Sequence, residues 1–339
     1  MRWVLPCIVI IPLAFTFLIS HITTAHTSIY PDIGNTDARL ERLERARRRR
    51  IVQQELKERQ RRFALRPFPF HKLPAELRVM IIENCAEWPD AFSALVRVSK
   101  PMQVLAYQAL LPLLPIRIID AHHVVSFDYF LEQKPSLAGL VHHLWMTPLH
   151  EDYYSMAVRI LRRCTNIVSL ACAGRMLQDG VTSAFRGYQI QHTQCHQLTL
   201  LYTSEKEWFN LLVSPSVNQF FRQLTHLRLV GKRTPRTVSF PKLAQISFAF
   251  NNTTHMDVNS EANSFNVASD VLKDQGKYPE LRSVALVRER TYLGNTGVRI
   301  WKNPTNARVF VFEIPKQRTE LELWCDNALG KGFWQLCRV

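Results

Sequence analysis

A short apolar pattern recurs between residues 141 and 286, and it restricts the fold more than any other feature of the sequence. Six segments carry the pattern, at 141–146, 167–172, 198–202, 224–229, 243–248 and 281–286. All but the third, which is truncated, follow the order apolar-x-x-apolar-x-apolar. Alternate apolar side chains predict a short β-strand with one buried face. Because no single unit can bury that face alone, neighbouring units must stack.

The distances between successive units indicate how the strands are joined. Their first residues are 26, 31, 26, 19 and 38 positions apart, and most of these spacings lie near the 20–29 residues of a leucine-rich repeat. Residues 153–163, and residues 207–212 with Phe220 and Phe221, are typical of helices between strands. We therefore expect a mixed α/β fold with a parallel sheet. Polar residues 251–266 predict a long loop.

Two architectures fit this expected parallel sheet with helices between its strands. The units lack the Asn that closes each turn of a regular leucine-rich repeat, and their lengths drift. The array is therefore similar to a degenerate leucine-rich-repeat solenoid. An ordinary α/β domain with parallel strands is the alternative, because short apolar runs fit both.

Residues that alternate with the apolar set should share the opposite, concave face of such an array, where repeat proteins bind partners. Trp, Tyr and Arg are common anchors of protein interfaces. The predicted substrate-binding residues on this face are Trp145, Tyr202, His226 and Arg228. The alternative is that these side chains only pack against neighbouring strands. Trp301, Trp324 and Trp334 are expected to cap the open end of the array by burial.

A second pattern lies upstream, where residues 68–111 predict three short helices. Pro74 suits the first turn of a helix, and Glu76 adds negative charge at its positive end. Leu77 and Ile81 then fall on one face. The pattern breaks at residues 86–90, a second apolar stripe ends near residue 98, and Pro101 begins a third helix. A core this small usually needs a partner or an adjoining domain.

These three helices resemble an F-box. The matching elements are Leu73-Pro74-x-Glu76-Leu77, Ile81-Ile82 and Leu95-x-x-Val98-Ser99. In that family the segment is a three-helix bundle that docks on the adaptor Skp1 of a cullin-based ubiquitin ligase, and many fungal members carry a degenerate leucine-rich array behind it. The resemblance implies that the Skp1-binding residues are Leu73, Pro74, Leu77, Ile81, Leu95 and Val98. The third helix departs from the family, which often has an aromatic residue and a closing Trp there.

The first segment of the chain is hydrophobic and conflicts with this function. Residues 3–19 carry no charge and follow Arg2, which is typical of a signal peptide or a short membrane anchor. Cleavage near residue 25 would place the rest of the chain where Skp1 is absent. A tethered cytosolic body and a misassigned coding start are the other interpretations. We expect a cytoplasmic or nuclear protein, with membrane association through residues 3–19 or the secretory pathway as alternatives.

The positive charge is concentrated in residues 37–72. This segment has 13 basic and 5 acidic residues, so 13 minus 5 gives +8 of the net +15. Such a local excess does not indicate a nucleic-acid-binding domain, and no nucleic-acid partner is expected. Its sparse apolar residues predict an exposed, charged helix. A localisation signal, an acidic-lipid patch or an RNA contact at residues 47–50 is the alternative.

Motifs of catalysis are missing from the sequence. It has no glycine-rich phosphate loop, no serine nucleophile elbow and no zinc-protease histidine pair. The seven cysteines contain no C-x-x-C pair, which favours free thiols in a reducing compartment. His192, Cys195 and His196 lack a second paired ligand set for zinc. We expect no enzyme activity, no cofactor and no metal.

The sequence therefore predicts four segments. They are a hydrophobic segment at 1–25, a basic and mostly exposed helical linker at 26–66, an F-box-like bundle at 67–115, and a leucine-rich-repeat-like substrate-recognition domain at 116–339. The corresponding function is that of a non-catalytic substrate receptor of a Skp1-cullin-F-box ubiquitin ligase with an unknown protein target. A secreted or membrane-tethered α/β protein, and a basic-helix binder of nucleic acid or membrane surfaces, are the alternatives.

Overall fold

The computed structural model describes residues 44, 46–58, 69–147, 150–181, 191–201, 205–230, 238–250, 258–289, 299–315 and 317–337. Contacts divide the chain into two compact units, Met1–Arg78 and Val79–Val339. In the first unit, residues 46–58 form helix α1, and every side chain of that helix is exposed. A 3-10 turn, Phe70–Lys72, follows, and helix α2, Ala75–Glu83, begins there with Glu76 in its first turn.

The second unit is built on a nine-stranded sheet in the order β1-β2-β3-β4-β5-β6-β7-β9-β8. The strands are β1 Pro115–Ile118, β2 His143–Met146, β3 Ser169–Ala173, β4 Gln197–Leu201, β5 His226–Val230, β6 Gln245–Phe250, β7 Ser283–Glu289, β8 Arg299–Asn303 and β9 Asn306–Ile314. All neighbouring pairs are parallel except β8 with β9. The prediction of a mixed α/β fold with a parallel sheet is confirmed.

Further helices precede, connect or follow these strands. They are α3 Pro89–Val98, α4 Lys100–Leu110, α5 Ala121–Gln133, α6 Glu151–Arg163, α7 Gly174–Val181, α8 Glu205–Val213, α9 Pro215–Phe221, α10 Val258–Lys273, α11 Glu320–Ala328 and α12 Phe333–Leu336. Helix α6 is an example: Glu151 and Asp152 lie in its first turn and Arg162 and Arg163 in its last, which complements the helix dipole. Its buried face is Ala157, Val158, Ile160 and Leu161.

One face of the sheet, called the outer face, packs against helices α5–α10. Strand residues such as Leu144, Leu170 and Leu198 form a single core with helix residues such as Leu161 and Phe220. The apolar positions of the recurring sequence pattern are the residues that point into this core. Their stacking buries faces that no unit could bury alone, so the repeated pattern and the consecutive strand order have one physical cause.

The other face of the sheet, called the inner face, packs against the chain's last described residues. Residues 317–337, called the C-terminal cover, contain α11 and α12. Thr319 begins α11 with a capping box, because its hydroxyl accepts from the Glu322 N–H while the Glu322 carboxylate accepts from the Thr319 N–H. Gly330, at a φ of 72°, turns the chain after α11. A Cβ on Gly332 would lie 1.9 Å from Asn327 Oδ1, so this turn requires glycine.

Two sequence expectations about local structure differ from the fold. Residues Val258–Asn266 are helical rather than loop, because the later turns of α10 carry Ala268, Val271 and Leu272 into the outer core and hold the polar first turns in the same helix. Strands β1, β8 and β9 lie outside residues 141–286 and were not predicted. Residues 251–257, also expected as loop, and the hydrophobic segment 3–19 lie outside the described residues.

Candidate functional site

The inner face presents its side chains in rows, because parallel strands pair with consistent register. The first row lies at the start of six strands and is polar throughout: His143, Ser169, Gln197, His226, Gln245 and Ser283. The second row lies two residues further along and consists of Trp145, Ala171, Thr199, Arg228, Ser247 and Ala285. Three of the four predicted substrate-binding residues, Trp145, His226 and Arg228, therefore share this face. Tyr202 lies outside the described residues.

Arg228 lies at the centre of the face and is only 1% exposed. Its Nε and Nη2 atoms donate to the two carboxylate oxygens of Glu320 at 2.8 and 2.7 Å, and Nη1 donates to Ser247 Oγ at 2.6 Å. The guanidinium also lies 5.1 Å from the ring centroid of Phe333. A buried cation needs a bidentate anionic partner of this kind, because desolvation of the unpaired charge would be costly.

Trp145 lies beside the same segment of chain. Its ring centroid is 5.8 Å from that of Trp324, and its Nε1–H donates to Thr147 Oγ1 at 2.9 Å. Trp324 is 2% exposed. It belongs to an apolar cluster with five residues of the sheet: Trp145, Ala171, Leu201, Val230 and Ala249.

His226 is the third predicted residue on this face, and α12 contacts it. The centroid of its ring lies 5.2 Å from the Trp334 ring in an edge-to-face arrangement, and its Nδ1 lies 2.8 Å from Thr225 Oγ1. In the same row, Gln245 Nε2 donates to the carbonyl oxygen of Cys337 at 3.4 Å. The C-terminal cover thus contacts Trp145, His226 and Arg228 through one or more side chains each.

Sequence reasoning did not identify the residues of the cover as part of this site. Trp324 and Trp334 are buried, as expected, but they lie against the inner face rather than at the open end of the array, and only Trp301 lies on an end strand. The signal that could have identified the cover is the capping box Thr319-x-x-Glu322, which marks a helix that begins with Glu320.

His143 begins the polar row and is half-buried. Burial lowers the pKa of its imidazole to about 4 from 6.5, with a smaller contribution from the charge of His142. Its Nδ1 atom is buried and has no hydrogen-bond partner. The imidazole is therefore neutral in the folded protein at pH 7, whereas the unfolded chain takes up a proton below pH 6.5.

This difference predicts an acid-sensitive contribution to stability. The folded pKa lies below the unfolded one, so the contribution is fully present above pH 6.5 and is lost as the pH falls toward 4. We expect the free energy of unfolding to fall by about 2–3 kcal/mol over this window. Urea denaturation at several pH values measures it. His143→Gln, which does not titrate, should lose less stability than the wild type, and identical pH profiles for the two proteins would contradict the prediction.

The residues that the F-box resemblance assigns to Skp1 binding lie just before α2, on α2 and on α3. In the first unit, Leu73 is half-buried, whereas Pro74 is exposed and Leu77 is 45% exposed. In the second unit, Ile81 is 44% and Val98 is 67% exposed, whereas Leu95 is half-buried. Sequence reasoning missed three further large apolar side chains in this region, which are also exposed: Met80 at 55%, Trp88 at 66% and Val104 at 55%.

Reactive groups in the described part of the chain are few. The thiols of Cys164 and Cys195 have pKa values raised to about 12 by burial, which disfavours the nucleophilic thiolate. Within the described ranges, no group of three or more His, Cys, Asp or Glu residues is arranged to hold a metal ion. None of the helices described combines the length and the apolar character needed to cross a bilayer.

The geometry of the second unit therefore gives two candidate sets of residues, the inner face with its C-terminal cover and the exposed apolar side chains between residues 80 and 104. No protein-family model matches the sequence, and no curated protein matches it either.

Proposed function

We propose that the protein is a non-catalytic substrate receptor of a Skp1-cullin-F-box ubiquitin ligase. The F-box-like segment would dock on Skp1, and the domain built on the parallel sheet would bind the target protein. The observation that carries this proposal is the number of large apolar side chains that are exposed between residues 80 and 104. In the second unit these side chains are Met80, Ile81, Trp88, Val98 and Val104.

The energetics of these helices favour a partner. Fully burying one side chain of this size stabilises a complex by about 1.5–3 kcal/mol, and exposed apolar patches in soluble proteins commonly mark interaction sites. Other side chains of α3 and α4 already pack inside the protein. Phe92 of α3 contacts Tyr107 of α4 with ring centroids 6.0 Å apart, and Tyr107 contacts Phe130 of α5 at 5.8 Å. The exposed side chains take little part in this internal packing and remain available to a partner.

The chemistry of the cysteines supports a cytoplasmic or nuclear location for this function. The six described cysteines, Cys85, Cys164, Cys172, Cys195, Cys325 and Cys337, are all free thiols. Free thiols persist in reducing compartments, where cullin ligases act, and are usually paired in secreted proteins. The receptor would contribute binding and orientation, while other subunits carry out ubiquitin transfer.

Charge substitution on the exposed apolar side chains tests the proposal. Ile81→Asp and Val98→Asp, each in the full-length chain, should weaken binding to purified Skp1 by at least about tenfold, because each places a charge where an apolar contact would form. Biolayer interferometry with immobilised Skp1 measures the affinity. Phe209→Asp is the matched control, since Phe209 of α8 is 65% exposed and lies outside the F-box-like segment.

Circular dichroism separates a binding defect from misfolding in these variants. The proposal is supported when Ile81→Asp and Val98→Asp keep the wild-type spectrum but lose affinity for Skp1, whereas Phe209→Asp keeps both. It is overturned when wild-type protein shows no Skp1 binding, or when the folded variants bind as tightly as the wild type.

A further inference from the structure

The inner face already holds a ligand of defined chemistry, which is the chain's own C-terminal cover. Each described residue that the sequence predicted as a binding anchor is contacted by the cover: Arg228 by Glu320 and Phe333, Trp145 by Trp324, and His226 by Trp334. We propose that the cover is a displaceable internal ligand, and that a target helix with a carboxylate four residues before an aromatic side chain competes for the same contacts.

Helix geometry specifies this chemistry. Glu320 and Trp324 are four residues apart on α11, so their side chains lie on one face of the helix. From that face, the carboxylate reaches the Arg228 guanidinium while the indole enters the apolar cluster that includes Leu201 and Val230. A target segment needs the same pair at the same spacing to replace both contacts.

The way the cover is held favours displacement as one body. Side chains make the hydrogen bonds described between the cover and the sheet, which include those from Arg228 to Glu320 and from Gln245 to the Cys337 carbonyl. The sheet itself is held by backbone ladders between its strands, and its main core lies on the outer face. Helices of nine and four residues are too short to persist alone in water, so a released cover would unfold.

The buried ion pair makes exchange between carboxylates feasible. Attraction between Arg228 and Glu320 is offset by the desolvation of both charges, so the pair contributes little net stability even though removal of one partner is costly. A target carboxylate that takes the place of Glu320 restores the same pair. The equilibrium between cover and target then depends on the remaining contacts and on the concentration of the target.

This inference rests on the proposed function, because it treats the inner face as the target-binding surface of the receptor. Its test needs no adaptor, so a failure of Skp1 binding and a failure of displacement are separate results. Cys337 in the cover is 1% exposed, and Cys164 and Cys195 in the outer core are fully buried. The three thiols therefore report on opening of the cover and on opening of the main core in the same full-length molecule.

The experiment labels native full-length protein with a maleimide and resolves each cysteine by mass spectrometry. We expect Cys337 to react at least about tenfold faster than Cys164 and Cys195, because sub-global opening precedes global unfolding. The α11 amides should exchange through the same opening that exposes Cys337. Matching opening rates for α11 and Cys337 distinguish opening of the whole cover from fraying of the last residues.

A peptide of residues 317–337, with both cysteines replaced by serine, serves as the competitor and would become helical only on the inner face. Added in excess, it should bind the opened face and increase labelling of Cys337, while the same peptide with Glu320→Lys and Trp324→Ala should not. Trp324→Ala in the protein itself should also accelerate labelling of Cys337 without changing that of Cys164. Equal rates at Cys337 and Cys164, or an equal effect of the two peptides, would overturn the proposal.

Discussion

Replacing Phe240 by alanine should lower the free energy of global unfolding by about 3–5 kcal/mol, the range for removal of a fully buried phenylalanine. Phe240 is 0% exposed. Its ring centroid lies 5.3 Å from that of Phe221 and 5.9 Å from that of Tyr278. The ring therefore joins α9 to the residues that lead into β7. Its removal leaves a cavity in the outer core and also breaks two aromatic contacts.

Urea denaturation followed by circular dichroism measures this loss. Phe209→Ala is the control, because Phe209 is 65% exposed and its truncation should change the free energy of unfolding by less than about 0.5 kcal/mol. A loss below about 1 kcal/mol for Phe240→Ala would show that the site collapses around the cavity, contrary to the prediction.

Replacing Glu320 by alanine should weaken closure of the C-terminal cover by about 3 kcal/mol, because Arg228 would remain buried without an anionic partner. Glu320 is the more exposed partner, with 27% of its side chain exposed against 1% for Arg228. Loss of the acid therefore leaves the buried charge unpaired, which makes Glu320→Ala the more informative substitution.

Native-state hydrogen exchange of the α11 amides measures closure of the cover. The double variant Arg228→Met with Glu320→Leu should recover most of the loss, because apolar side chains of similar volume remove the desolvation cost together with the ion pair. If Glu320→Ala exchanges like the wild type, Arg228 does not depend on this carboxylate. If closure of the cover is as weak in the double variant as in Glu320→Ala, the shape of these side chains rather than their charge determines closure.

The outer core could be predicted from sequence because its signal is local. Apolar residues at fixed offsets, as in 224–229 with Leu224, Leu227 and Leu229, specify both a strand and the face that it buries. Consecutive strand order follows from the same pattern repeated. Strand β1 was not predicted, although Leu113, Ile116 and Ile118 follow the same order and the strand pairs with β2 in matching register.

The candidate site was predictable only in part. Alternation in strands β2 and β5 places Trp145, His226 and Arg228 on one face, and the structure has them there. The same alternation carries no information on what covers that face. Arg228 and Glu320 are 92 residues apart in the chain, and no local pattern links residues at such a separation.

The sequence by itself determined the repeated strand units, the helices that precede β3 and β5, and the composition of both faces of the sheet, because side-chain periodicity within a few residues controls these features. Only the tertiary structure decided that the chain's end folds back over the inner face. This arrangement pairs the buried Arg228 guanidinium with a carboxylate. It also covers apolar inner-face residues such as Leu201 and Val230 with Trp324. Both contacts join residues that are far apart in the chain, so the closed fold is needed to form them.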